Sequence, residues 1–290
     1  MIIVELKGGF GNQLFQYAAG LSLAKHHQVE LRVDPSQLAN PDSVTGTIRQ
    51  TDLFNLSDIP AIADKKDLHK YHLKSGLSKF KDKILPLHKR NIYKEKSNKF
   101  DKNFFKAGAS LLLKGNRQSE LYFKRYENYI RQKLVISDTS LQKVKEYGEN
   151  LKHLNSVSLH IRRGDYLTAI ALEWLGLLPL SYYENAIKII AAKIPNCKFY
   201  IFSDDIDWVQ NNLIINYEHD FVSNSQTTNA MEDFHLMSSC KHNIIANSTF
   251  SWWAAWLNTN QNKMIIAPKK WFSMENINAD DLIPKSWITL

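Results

Sequence analysis

Short apolar runs that stop at a cluster of glycine, hydroxyl or charged residues recur along this chain. Each is followed by helix-like sequence. Residues 2–6 run into Gly8, Gly9, Phe10, Gly11 and Asn12; Val157, Leu159 and Ile161 alternate and lead into Arg162, Arg163, Gly164 and Asp165. Residues 198–202 stop at Ser203, Asp204 and Asp205, and residues 243–246 at Asn247, Ser248, Thr249, Phe250 and Ser251. A strand, a tight loop and a helix, repeated, is the pattern of a parallel α/β sheet. Such sheets present ligand-binding groups at the carboxyl ends of their strands. Residues 30–34, 110–114 and 263–267 read as further strands. Residues 127–134, 140–154, 180–194 with Ser181 as N-cap, 229–237 and 247–257 read as helices. A break at Asn155-Ser156 divides the pattern into domains 1–154 and 155–290. The expected fold is α/β, two Rossmann-like domains facing a cleft.

The densest chemistry is His160 to Tyr166, HIRRGDY. Two arginines at a strand end place fixed positive charge where a ligand sits. Their planar forks suit phosphate or carboxylate oxygens. The same residues also allow a structural ion pair with Asp165. The embedded Arg-Gly-Asp is too common a tripeptide to indicate adhesion. The glycine loop at residues 8–11 brings helix-start N–H groups toward an anion, or is a plain tight turn. It is neither the GxGxxG dinucleotide fingerprint nor a P-loop, which argues against a nicotinamide oxidoreductase. Asn12 and Gln13 offer amides to a ligand or to the helix start. Asp204 and Asp205 serve a metal, a ribose or the cap of the following helix, with the cap preferred. Ser248, Thr249 and Ser251 are an anion site or ordinary caps. Residues 167–178 form an apolar insert, a flap or a packed loop. Trp252, Trp253, Trp256 and Trp271 read as core.

Charge is local. Residues 64–106 hold fourteen Lys/Arg against five Asp/Glu, a net +9, while the whole chain is +8. This basic insertion is a solvated helical face, a surface for anionic lipid or a charged acceptor, and it carries no recognisable nucleic-acid module. No run is long and apolar enough to span a bilayer, and the N-terminal MIIVEL lacks the features of a signal peptide. Cys197 and Cys240 have neither metal nor disulfide spacing and read as reduced core thiols.

Five blocks then match a known pattern in order: residues 8–20 (GGFGNQLFQYAAG), 118–123 (QSELYF), 160–166 (HIRRGDY), 202–205 (FSDD) and 232–257. Over nearly its whole length the chain resembles the bacterial α-1,2-fucosyltransferases of glycosyltransferase family 11. It departs from them at Arg117, where an aromatic residue is usual, and in the basic region. The resemblance implies a GT-B fold whose C-terminal domain holds GDP-β-L-fucose. It implies inverting transfer of L-fucose to a hydroxyl, typically the 2-OH of a terminal β-galactoside, with no metal and no other cofactor. By the same resemblance Arg162 binds the β-phosphate, supported by Arg163. His160 and Asp233 read guanine. Asn247, Ser248, Thr249, Phe250 and Ser251 line the pyrophosphate and sugar. Gly9, Phe10, Gly11 and Asn12 approach the donor from the N-terminal side.

An arginine aimed at charge growing on departing GDP stabilises the transition state more than the ground state. The base that takes the acceptor proton is expected among Asp165, Glu120 and Glu173, with Asp165 first and Asn12 positioning the acceptor. Family context implies surface-polysaccharide or O-antigen assembly on a lipid-linked glycan, in the cytoplasm or at the cytoplasmic face of the inner membrane. The competing readings are a transferase of another GDP-sugar and a non-catalytic membrane- or polyanion-binding protein.

Overall fold

The computed structural model describes residues 1–71, 76–222 and 226–290. Residues 72–75, inside the basic insertion, lie outside the described residues, as do the side chains of 76–79. The chain forms two compact units. The first comprises residues 1–42, 46–135 and 278–284, and the second residues 43–45, 136–277 and 285–290.

The first unit holds four strands: β1 (Ile2–Glu5), β2 (Leu31–Asp34), β3 (Ile92–Lys94) and β4 (Leu111–Lys114). They form one parallel sheet in the order β2-β1-β4-β3. Helix α1 (Phe10–His27) follows β1 and is buried along most of its length, with Leu14, Phe15, Ala18 and Leu23 sealed from solvent. Burying a large apolar side chain of this kind contributes about 1.5–3 kcal/mol. Within the basic insertion lie the short helices α2 (Lys65–His69) and α3 (Gly76–Ile84). Its aromatics divide: Tyr71, Tyr93 and Phe104 are buried, and Phe80 is exposed. Strand β3 escapes a reading by periodicity because Tyr93 is its only buried residue. Helix α4 (Glu127–Lys133) closes this stretch. Residues 278–284 also belong here. The Phe100 amide donates to Asp281 (2.9 Å), and Leu282 is buried.

The second unit is a six-stranded parallel sheet of β5 (Ser156–Ile161), β6 (Lys198–Ser203), β7 (His219–Phe221), β8 (His242–Ile244), β9 (Ile265–Ala267) and β10 (Ile288–Thr289). The order is β10-β9-β8-β5-β6-β7. Val157, Leu159 and Ile161 pack with α7 (Leu180–Lys193) and α8 (Ile206–Asn212) in one apolar cluster. The opposite face of β5 is buried and polar, as the two-residue period of a strand requires. Ser156 donates to Leu151 O (2.7 Å), and Asn243 donates to Ser158 (2.7 Å). Helix α5 (Lys145–His153) packs against α9 (Ala230–Ser239) on this unit, so contacts group residues 136–154 with the second sheet rather than the first. Pro179, not Ser181, occupies the N-cap of α7. The insert after HIRRGDY contains α6 (Ala169–Trp174), with Leu167, Ile170 and Trp174 exposed. Trp252, Trp253, Trp256 and Trp271 are core, and both cysteines are buried free thiols. No helix among the described residues is long and apolar enough to cross a membrane.

Candidate active site

The strand order of the second sheet fixes the site. From β5 the chain passes to β6 and β7 on one side, then returns to place β8, β9 and β10 on the other. The sheet therefore reverses between β5 and β8, which are direct neighbours. A crevice outside the carboxyl ends of two such strands is where open α/β sheets bind ligands. Residues 162–165 follow β5, and Asn247 to Ser251 follow β8 into α10 (Thr249–Leu257). Two of the sequence clusters thus meet at one point. Tyr166 ties them, donating from its hydroxyl to Asn247 O (2.9 Å).

Arg162 is the centre of this site. Its Nε and Nη2 donate to Asp165 Oδ1 (3.0 and 2.6 Å), and Nη1 pairs with Asp204 Oδ2 (3.1 Å). Burial works against its charge, but Asp204 and Asp165 outweigh that and hold the guanidinium more firmly protonated than usual. The hydrogen bonds to Asp165 engage Nε and Nη2 and the Asp204 contact is an ion pair, so the guanidinium keeps further N–H groups that a ligand can use. Arg163 donates through Nε to Asp205 Oδ2 (3.1 Å), and its guanidinium lies 3.4 Å from the centroid of the Trp208 ring. The Arg163 amide donates to Asp204 Oδ1 (2.9 Å). Gly164 is needed here, since a Cβ would lie 2.6 Å from Asp204 Oδ2.

Asp204 and Asp205 are therefore arginine clamps. Asp205 stands at the N-cap of α8 but makes no side-chain cap bond, so the capping expectation is replaced by ion pairing. The pairing follows from the sheet: the acidic pair comes directly after β6, the strand beside β5, in which His160 faces Phe202 and Ile161 faces Ser203.

Helix α9 supplies the other wall. Asn229 caps it, accepting from the Met231 and Glu232 amides, and it packs against α10. Phe250 of α10 lies 5.3 Å from Phe234 and 6.0 Å from His160, ring centre to ring centre. His160 is sealed in, and its Nδ1 has no hydrogen-bond partner among the described residues. Burial, with Arg162 nearby, pulls its pKa down to about 3, so the ring is neutral. Burial pushes Asp233 up to about 6, opposed by a hydrogen bond from Thr227 and assisted by the Glu232 charge. Thr249 and Phe250 are half-buried, whereas Ser248 and Ser251 are buried. Ser251 donates to Ser248 O (3.3 Å). Asn247 is a framework residue. Its Nδ2 lies within hydrogen-bond distance of Leu175 O (2.9 Å), Trp271 O (3.2 Å) and Gly176 O (3.3 Å).

The N-terminal candidates gather at the carboxyl ends of β1 and β4 in the first unit. Gly9 is the N-cap of α1, Phe10 and Gly11 are buried, and Asn12 is half-buried. Gly8 adopts φ +74, and a Cβ there would meet Asn12 Nδ2 at 2.5 Å. Asn12 Oδ1 accepts from Gln118 Nε2 (2.8 Å), a partner sequence reasoning did not single out. Two further amides brace the loop. Gln13 donates to Gly8 O (3.0 Å) and Gln50 O (2.8 Å), and Gln16 closes a two-point pair with the Lys7 backbone. Arg117, the departure from the family pattern, is buried among the rings of Tyr93, Phe104 and Tyr122 at 4.4–5.6 Å. Of the base candidates, Asp165 is held by Arg162, Glu120 pairs with Lys124 (2.8 Å), and Glu173 is exposed on α6.

Two parallel α/β units with an arginine pair at a sheet reversal have the GT-B architecture. The profile of Glycosyl transferase family 11 matches residues 1–290, and the chain belongs to that family. It is 31% identical over 299 residues to an alpha-1,2-colitosyltransferase of Escherichia coli, covering 100% of this chain and 99% of that protein. It is 35% identical over 309 residues to the O-antigen biosynthesis glycosyltransferase WbnK of Escherichia coli, covering 98% of this chain and 99% of that protein. Among solved structures it resembles a mutant form of Arabidopsis thaliana FUT1 in complex with GDP. The TM-score is 0.55 and the identity 12%, over 92% of this chain and 70% of that one. That likeness is one of fold.

Proposed function

We propose that this glycosyltransferase moves L-fucose from GDP-β-L-fucose to the 2-OH of a β-galactoside, with inversion, in the assembly of an O-antigen glycan. The observation that carries the reading is Arg162, pre-positioned by two carboxylates at the reversal of the second sheet with N–H groups still available to a phosphate. As the sugar–phosphate bond breaks, negative charge collects on the diphosphate, and a fixed guanidinium stabilises it without reorganising. Arg163 adds a second positive charge at the same strand end. His160, neutral and with an orphaned ring nitrogen, is suited to a hydrogen bond with the purine. Asp233 in its ionised form accepts the paired N–H donors that guanine offers. Thr249 and Phe250 are the accessible members of the 247–251 set for diphosphate and sugar.

In this reading Asp165 positions Arg162, and the acceptor is held on the first unit beside Asn12 and Gln118. The reaction needs no metal or other cofactor, since the arginines supply the charge that a cation would. The protein works from the cytoplasmic side, where nucleotide sugars are found, with any membrane contact peripheral.

A second donor is favoured by one finding, the relative named as an alpha-1,2-colitosyltransferase. Colitose is L-fucose without its 3-hydroxyl. GDP release should be measured from both GDP-sugars, with lactose as acceptor, in EDTA, for the wild type and Arg162→Ala. Galactoside-dependent release in EDTA that collapses in the variant supports the proposal, and the preferred donor decides between the sugars. Transfer that requires an added divalent cation, or that survives Arg162→Ala, would sink it.

A further inference from the structure

The carboxyl edge of the first sheet bears a cavity of about 480 Å³, lined from β1, β3, β4 and the segments that follow them. No side chain in its wall is apolar: apart from Gly115, every lining residue is polar or charged. Six of them are ionic, namely Glu5, Lys7, Lys94, Glu95, Lys96 and Lys114.

The two carboxylates are used inside the protein. Glu5 is paired with Lys114, and its side chain is only 14% exposed. Glu95 accepts from the Asn116 and Arg117 amides (2.7 and 2.9 Å), fixing the turn after β4. Lys7, Lys94 and Lys96 are all exposed and have no ion-pair partner among the described residues. What the cavity offers a ligand is therefore three solvated ammonium groups around a polar floor. A hydrophobic tail finds nothing to cover there, while a hydrated anion finds donors on several sides. Its lining ends in sequence at Asn116, two residues before Gln118, the residue that holds Asn12.

We infer that this cavity binds an anionic group, carboxylate or phosphate, carried by the acceptor glycan, so that the enzyme prefers acidic over neutral galactosides. The inference rests on the proposed function, in which the first unit receives the acceptor.

The test uses the full-length protein and three β-galactosides. Lactitol is neutral, lactobionate carries a carboxylate, and lactose 1-phosphate carries a phosphate. Transfer is measured with each, and binding of each is measured by calorimetry with GDP saturating, for the wild type and for Lys94→Glu/Lys96→Glu. Thermal melting confirms that the variant, altered only at exposed positions, is folded. The expected result is that kcat/KM and affinity for one acidic acceptor exceed those for lactitol by about tenfold to a hundredfold. That ratio should fall toward one in the variant and with added salt. Preference for lactobionate identifies an acidic sugar as the source of the anion, and preference for lactose 1-phosphate identifies a phosphate linkage. Equal use of all three by the wild type, or an acid preference untouched in the variant, would overturn the inference. If no lactoside accepts the sugar, the functional reading fails. The calorimetric arm still decides the cavity, because acid binding lost in the variant supports it and its absence in the wild type refutes it.

Discussion

The carboxyl edges of the two sheets carry charge in opposite ways. At the second, two arginines are matched by three carboxylates, and both guanidiniums are fixed, one between Asp165 and Asp204 and the other between Asp205 and Trp208. At the first, the carboxylates are used internally and the lysines Lys7, Lys94 and Lys96 reach into solvent. Under the proposed function, the difference is that between a site built for a transition state and a site built for recognition. Charge that must stabilise a departing diphosphate works best when it has nothing left to reorganise. Charge that selects an acceptor needs only proximity, and flexible lysines provide it.

The sharpest way to break this comparison is at Arg162. Arg162→Ala should lower kcat by about 10²–10³, and Arg162→Lys should recover little, because an ammonium cannot span Asp165 and Asp204 while serving a ligand. Steady-state kinetics checks both. Loss confined to KM would mean that Arg162 only binds the donor and that the preorganised edge is no more catalytic than the lysine edge.

Arg117 tests whether the first edge also depends on a rigid element beneath its solvated lysines. The buried guanidinium fills an aromatic cage and donates to Tyr93 O (3.1 Å) and Lys114 O (3.4 Å). Arg117→Ala leaves a cavity inside the aromatic cage and removes a donor from the Tyr93 and Lys114 carbonyls, the second of which keeps the Glu95 amide (2.9 Å), so it should destabilise the protein by about 3 kcal/mol. Denaturant unfolding reads this directly. A change within about 0.5 kcal/mol would show that the cage collapses without cost.

How much of this was legible in the chain differs between the edges. Strand ends that carry their own chemistry could be read. Arg162, Arg163, Ser248 and Thr249 lie just beyond apolar runs, so local pattern alone places them at a carboxyl edge. The pairing of Arg162 with Asp204 could not be read as a contact, because it depends on β6 lying beside β5. The same residue pattern fits a helix cap, the reading that the sequence alone prefers. The first edge was harder still. Glu95 meets the Arg117 amide only once β3 and β4 pair, and β3 has a single buried residue to announce it. Residues 278–284 joined the first unit through Asp281 and Leu282, which no periodicity marks.

Asp165 probes the clamp with a smaller change. Asp165→Asn keeps the shape and one acceptor oxygen but removes the charge that orients Arg162. A positioning role predicts a fall in kcat of about tenfold to thirtyfold, with the pH profile unchanged. A base role predicts instead that the acidic limb of the kcat profile disappears, which would return Asp165 to the chemistry and leave Arg162 held chiefly by Asp204.

The smallest effect separates ligand binding from folding at the second edge. Burial raises the Asp233 carboxyl to about 6 in the folded protein, above its ordinary value. If the ionised form holds guanine, GDP affinity is full above that pH and falls as the carboxylate gains its proton, by about fourfold at pH 5.5 relative to pH 7.5. Folding responds in the reverse sense. The unfolded chain loses this proton at lower pH, so the contribution of the protonated carboxyl to stability is present below about pH 4 and declines as pH rises toward 6. Asp233→Asn should flatten both trends. Calorimetric GDP titrations and thermal melts across pH 4.5 to 7.5 would show the two curves crossing in the wild type. Curves that rise and fall together would mean that Asp233 is a structural carboxyl and that the base is read elsewhere on the α9 wall.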